Sequence, residues 1–187
     1  QGPASFSPAE PAMTASPAAA LASRRQPSAR QLIAVICVVR LALIAGAWFF
    51  ELVLHLRPCK LCLEQRMPHY AAIGLALAGL VLARSPRLQW FVLLGLAGLM
   101  TWSTGLGIYH AGVEWGWFMG PNDCGGAAAA AAGMQDFMKQ LQTTRIVACS
   151  EAAWRFLGLS LAGWNALASA GLFLLAIFGL LRRKMAA

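Results

Sequence analysis

Four apolar runs that can cross a bilayer as helices, the second only marginally and with its helix expected to begin inside a CxxC segment, constrain this chain more than any other feature. Crossing the hydrocarbon core takes about 20 residues at 1.5 Å rise each. The first run extends from Gln31 to about Leu56. The second, the shortest, extends from about Met67 to Ala83, the third from Leu88 to about Tyr109, and the fourth from about Phe156 to Leu181. All four exceed strand length and lack polar–apolar alternation, so they predict helices. Lipid admits only helices or closed barrels in any case. The expected fold is an all-α membrane protein: a four-transmembrane-helix bundle over residues 31–184, with outer loops at about 57–66 and 110–155. Composition agrees. Hydrophobic residues make up 59% and charged ones 12%, against about 45–50% and 25% in soluble domains.

The net charge of +8 raises nucleic acid as a partner, but the basic residues sit in short clusters at the ends of the apolar runs. That is a topology signal rather than a binding patch. With four alternating spans, Arg24, Arg25, Arg30, Arg84, Arg87, Arg182, Arg183 and Lys184 share one side, together with both termini. Dense basic residues in short segments mark the cytoplasm. Arg57, Lys60, Arg66, Lys139, Arg145 and Arg155 fall opposite, diluted by Glu64, Glu114, Asp123, Asp136 and Glu151, with Trp115, Trp117 and Trp154 at that boundary. In a bacterium the opposite side is the periplasm, and the membrane is the inner one.

Residues 1–30 are rich in Ala, Pro and Ser without apolar periodicity and are expected to form a disordered cytoplasmic tail. The first run resembles a signal peptide, with Arg24 and Arg25 ahead and Ala45-Gly46-Ala47 as a cleavage-like site. It is too long for one and continues through Trp48-Phe49-Phe50, so it is expected to stay as an anchor. Arg40 inside it either snorkels to the cytoplasmic face or is buried in the bundle.

The chemistry lies in Arg57-Pro58-Cys59-Lys60-Leu61-Cys62-Leu63-Glu64-Gln65-Arg66. A CxxC at a helix start is more than a staple, because the helix dipole and a nearby cation both favour the nucleophilic thiolate. Cys62 and Arg66 are four apart and so share a helix face. Cys124 and Cys149 lie in the other outer loop, and an oxidising periplasm permits two disulfides among the four. Cys37, inside the first run, reads as a small buried hydrophobe. CxxC followed by Leu63 excludes haem attachment. The twenty-four residues between Cys124 and Cys149 do not suit a zinc site of two close pairs, so no metal is expected.

The second loop has its own logic. Pro121-Asn122-Asp123-Cys124-Gly125-Gly126 is turn chemistry, which predicts an exposed Cys124. After the alanine run 127–132, Met134, Phe137, Met138 and Leu141 recur at helical spacing. They predict a short amphipathic interfacial helix. Ser150 suits the N-cap of the fourth helix, with Glu151 in its first turn and Cys149 at the hinge.

These motifs resemble the disulfide bond formation protein B (DsbB) family. Pro58 to Arg66 is similar to that family's CxxC and quinone-binding arginine. Tyr109-His110-Ala111-Gly112-Val113-Glu114-Trp115 and the segment Cys149 to Gly158 are similar to it as well. The resemblance covers about Gln31 to Lys184 and implies a function: a quinone-dependent thiol oxidase that reoxidises a DsbA-like periplasmic thioredoxin-fold protein. By the same resemblance Cys124 forms a mixed disulfide with that partner and Cys149 is its resting mate. Cys59 takes over Cys149, Cys62 becomes the thiolate facing ubiquinone or menaquinone, and Arg66 helps bind the ring. A partner such as DsbA, near −120 mV, is too oxidising for ordinary thiols to recharge, whereas a quinone pool can drain its electrons. The alanine run departs from the family pattern.

His110, near the outer end of the third run, either contacts quinone or relays protons, or is a satisfied interfacial histidine. His55 and His69 carry less weight, and Glu51 has no evident partner. Gly74 with Ala78, Gly95 with Gly98, and Gly105 with Gly107 are expected to permit close helix packing. Two rival classes remain: a scaffold with static disulfides, and a small transporter, which would carry broken or polar helices at mid-membrane.

Overall fold

The computed structural model describes residues 27–121 and 148–185, with side chains through Arg182. The tail 1–26, Cys124, the alanine run and the expected amphipathic segment lie outside the described residues. Four helices make up the body: α1 Ala29–Leu52, α2 Lys60–Leu82, α3 Pro86–Glu114 and α4 Leu161–Met185. Three of them, α1, α3 and α4, are long and apolar enough to cross a membrane. The exception, α2, carries Lys60, Glu64, Gln65, Arg66 and His69 in its first ten residues. The protein is thus a helical membrane protein, whose described residues form four helices with three candidate spans.

Local chemistry sets the helix starts. Ser28 and Gln31 form a capping box, with Ser28 Oγ accepting from the Gln31 amide at 3.2 Å and Gln31 Oε1 accepting from the Ser28 amide at 2.7 Å. This starts α1 two residues ahead of the apolar run. Cys59 caps α2, its Sγ accepting from the Cys62 amide at 3.3 Å. Helix α2 therefore begins seven residues before its apolar stretch and takes in Cys62 and Arg66. Ser85 caps α3 with Pro86 in the first turn. That helix runs on to Glu114, so His110 is helical rather than in a loop.

The fourth helix corrects the sequence reading. It starts at Leu161, and Ser150 is not its cap. Between them an antiparallel hairpin pairs β1 Arg155–Phe156 with β2 Leu159–Ser160. Its two-residue loop, Leu157 and Gly158, has φ of 51° and 81°, the left-handed pair of a type I′ turn. Ser160 Oγ accepts from the Gly163 amide at 3.2 Å and does the work expected of Ser150. Among the described residues this small hairpin is the one strand pairing, and the rest is helix joined by turns and irregular connections.

The main apolar core is made of Ile33, Ile36, Leu93, Leu96, Met100, Ala72 and Ala176, together with Cys37, and does not include Cys59, Cys62 or Cys149. Close packing uses some of the expected glycines and not others. A Cβ on Gly107 would lie 2.9 Å from Ala166 Cβ and 3.0 Å from its backbone, and one on Gly95 would lie 2.9 Å from Leu75. Gly74, Gly98 and Gly105 have nothing within 4 Å, so they do not serve helix approach. Gly79, against Val92, and Gly179, against Leu32, do so instead.

Candidate functional site

Outside that core Cys59, Cys62 and Cys149 come together. Cys59, Leu61, Val113 and Cys149 form a second buried cluster, with Cys62 and Tyr109 packed against it. Cys149 lies in a turn and is only 1% exposed, so it is docked on the bundle rather than at an open hinge. Cys59 Sγ is 2.8 Å from Cys62 Sγ and 3.5 Å from His110 Nε2. Cys124 lies outside the described residues.

The two thiols of the pair are made unequal by position. Both precede the apolar stretch that begins at Met67. Cys59 is pushed up to about 12, first by its hydrogen bond with Cys62 and then by burial. Cys62 is pulled below the ordinary thiol value, chiefly by the hydrogen bond from Cys59 and against the effect of burial; the neighbouring Cys149 and Glu114 oppose the shift. Cys62 is thus the more acidic thiol of the pair.

The charge expected beside Cys62 has a different task. Arg66 Nη2 lies 2.6 Å from Glu51 Oε2, and its guanidinium sits 4.9 Å from the centre of the Trp48 ring. Glu51, without an evident partner in the sequence, is the counter-ion of Arg66. The i,i+4 spacing holds, but the thiolate preference of Cys62 comes from Cys59 rather than from Arg66.

A cavity of about 260 Å³ opens between these groups. Ala42, Leu43, Ala47 and Phe50 give it an apolar wall, and Cys62, Arg66, His69, His110 and Asn165 present polar atoms to it. Trp154 and Trp164, at either end of the hairpin, border it as well. Trp154 stacks on Phe156 at 5.7 Å, and Trp164 Nε1 donates to the Phe156 carbonyl at 3.1 Å. The hairpin therefore frames one side of the cavity. An apolar wall with a few convergent polar groups is the pattern of a small-molecule site.

His110 is 2% exposed, and its Nδ1 lies 2.6 Å from Gln65 Nε2. Its Nε2 faces Cys59 and, at 3.7 Å, Glu114 Oε1. Donor atoms of Cys59, Cys62 and His110 all lie within 4.8 Å of one another. Sequence reasoning did not single out Gln65, Asn165, Glu114 or Trp48, and it gave His69 little weight. The one available signal was polar residues inside apolar runs: Gln65 and His69 are four apart on α2, and Asn165 interrupts the last run.

Comparison with known proteins gives a consistent result. The family described as Disulfide bond formation protein DsbB matches residues 29–179. A disulfide bond formation protein B of Marinobacter nauticus is 32% identical over 164 residues, covering 83% of this chain and 94% of the relative. The protein of the same name from Verminephrobacter eiseniae is 33% identical over 165 residues, covering 79% and 85%. That of Dechloromonas aromatica is 30% identical over 150 residues, covering 78% and 88%.

Proposed function

The chain belongs to the disulfide bond formation protein DsbB family, and on that premise we propose that it reoxidises a DsbA-like periplasmic dithiol and passes the electrons to membrane quinone. The enzyme is a thiol oxidase of the bacterial inner membrane with its cysteine loops on the periplasmic side. The observation that carries this reading is the joining of Cys59, Cys62 and Cys149 in one cluster beside a cavity that Arg66 also lines.

The steps balance as successive thiol–disulfide exchanges. A partner thiolate attacks Cys124 of a Cys124–Cys149 disulfide, releasing Cys149 as a thiolate. The second partner thiol then resolves the mixed disulfide. Cys149 attacks Cys59 of a Cys59–Cys62 disulfide, and the electron pair of the broken bond leaves on Cys62. Its lowered pKa makes Cys62 the better leaving sulfur. Cys124 closes back on Cys149, leaving Cys59 and Cys62 reduced. Bound quinone, ubiquinone or menaquinone, supplies the acceptor for the two electrons and two protons of this dithiol. Arg66, held by Glu51 and Trp48, binds the ring and balances negative charge at the cavity wall. His110 presents a ring nitrogen to Cys59.

Quinone reduction driven by a reduced thioredoxin-fold dithiol tests the reading. Cys62→Ser is expected to abolish turnover while partner binding persists. Unchanged turnover in that variant would sink the mechanism, and thiol trapping that finds no mixed disulfide in Cys149→Ala would favour static staples.

A further inference from the structure

A chain of polar side chains, buried except for the half-buried Asn165, joins the middle of the bundle to the cysteine pair, and its hydrogen bonds all run one way. Arg40 on α1 is fully buried and, among the described residues, forms no ion pair. Its guanidinium meets neutral acceptors only: Met100 Sδ from Nε at 3.1 Å and also from Nη2, Ser103 Oγ at 3.2 Å, and His69 Nδ1 at 3.1 Å. A guanidinium donates at every nitrogen and accepts at none. His69 Nδ1 must therefore accept, which leaves the ring proton on Nε2, 3.0 Å from Asn165 Oδ1. Asn165 Nδ2 in turn donates to Gln65 Oε1 at 2.7 Å. Gln65 Nε2 is left to donate to His110 Nδ1 at 2.6 Å. The proton of a neutral His110 then sits on Nε2, toward Cys59 Sγ at 3.5 Å and Glu114 Oε1 at 3.7 Å.

A second branch has the same polarity. Arg40 donates to Ser103, Ser103 Oγ lies 2.9 Å from Ser169 Oγ, and Ser169 donates to Asn165 Oδ1 at 3.3 Å. Both branches end on the same amide oxygen. Helix association alone does not call for an arginine. Neutral pairs such as Ser103 and Ser169 hold helices together in lipid, and a charge inside the bundle is expensive. What an arginine adds is direction, because a residue that can only donate leaves each following group one role.

We propose that Arg40 is a positioning residue for the thiol chemistry, its guanidinium setting the proton order of this chain and holding His110 in the tautomer that turns Nε2–H toward Cys59. The proposal rests on the reading of Cys59 as a redox-active thiol. When the bond from Cys59 Sγ to Cys149 Sγ breaks, the electron pair stays on Cys59 and the attacking thiolate takes its place on Cys149. A donor held at Cys59 Sγ stabilises that leaving charge without any proton transfer. The histidine tautomer is fixed by what its other nitrogen meets, and here that partner traces back to Arg40.

Nitrogen NMR of ¹⁵N-histidine-labelled full-length protein in detergent, at mildly alkaline pH and without partner or quinone, reads the tautomer directly. Wild type is expected to show His110 and His69 protonated on Nε2. Arg40→Leu is expected to move the His110 nitrogens toward a mixture of tautomers and to slow Cys59-dependent exchange with a small disulfide by about tenfold, the scale of losing a group that orients a histidine. Arg40→Lys, which also only donates, is expected to keep the Nε2–H form. If Arg40→Leu does not fold, Asn165→Ala cuts the chain beyond His69 and is expected to have the same effect on His110. A wild-type His110 protonated on Nδ1, or an unaltered His110 spectrum in the folded variants, would overturn the proposal. Because the spectra need neither partner nor quinone, failure of wild-type turnover would count against the proposed function alone.

Discussion

Arg66 and Arg40 are both buried arginines, yet they sit in regions that treat a positive charge in opposite ways. Arg66, at the cavity, has a carboxylate at 2.6 Å and a tryptophan face beneath it. Arg40, in the bundle, has a thioether, a hydroxyl and an imidazole. The first arrangement neutralises the charge and fixes its place beside open space. The second leaves the charge without a counter-ion among the described residues and uses its donors to order neutral groups. A sequence shows two arginines near apolar runs, and only their partners separate the one paired with a carboxylate from the one that meets neutral groups.

The largest effect that sharpens this comparison is at the cysteines. At neutral pH an ordinary thiol is a few per cent thiolate, and one near 12 is about a thousandfold less ionised. Cys62 is shifted down and Cys59 up to about 12. With reduced protein, Cys62 should therefore react with iodoacetamide faster than Cys59 by about a hundredfold, the ionisation gap being partly offset by the greater nucleophilicity of the less acidic thiolate. Its pH profile should lie to the acid side of an ordinary thiol, and that of Cys59 well to the alkaline side. Equal rates would mean that the pair is not differentiated. Next comes Arg66→Ala, expected to raise the apparent Michaelis constant for quinone by about tenfold or more, the scale of one charged contact. A change confined to partner affinity would remove Arg66 from the quinone site.

Smaller effects concern stability. A double-mutant cycle of Arg66→Met with Glu51→Gln should give a coupling of about 1–2 kcal/mol, because either single change strands the other group. Arg40→Met should cost less than about 1 kcal/mol in reversible unfolding, since its neutral partners can pair among themselves and an apolar group replaces a buried charge. If Arg40→Met proved the more disruptive and the Arg66 cycle showed no coupling, the contrast between the two regions would fail.

The helices were legible because their signal is local. Apolar length marked all four, while the starts set by Ser28 and by Ser85 with Pro86 lie two residues ahead of the apolar runs at Gln31 and Leu88. The hairpin was hidden because its turn uses Leu157 in a left-handed conformation, where Asn or Gly is the usual sign. With Arg155–Ser160 folded back on itself, the cap passed from Ser150 to Ser160. Cys59, Cys62 and Arg66 could be singled out from spacing alone. The approach of Cys149 could not, because it depends on a long loop closing. Gln65 and Asn165 were not singled out, and His69 was given little weight, because a single polar residue in an apolar run has no meaning until its partner on another helix is known. Arg40 was the exception: its charge alone raised the question that His69, Ser103 and Met100 answer.

One sulfur carries two duties. In the proposed relay Cys59 Sγ is the atom that exchanges, and it also receives the Cys62 amide in the first turn of α2. Drawing that sulfur toward another partner loosens a helix end as well as a bond. Losing a cap costs about 1 kcal/mol where the cap is an oxygen. The redox condition of the pair should thus be audible in the backbone, as faster or slower amide hydrogen exchange at Leu61 and Cys62. Oxidation and reduction would then act as a small mechanical tension on α2, relieved each time the sulfur returns to its own helix.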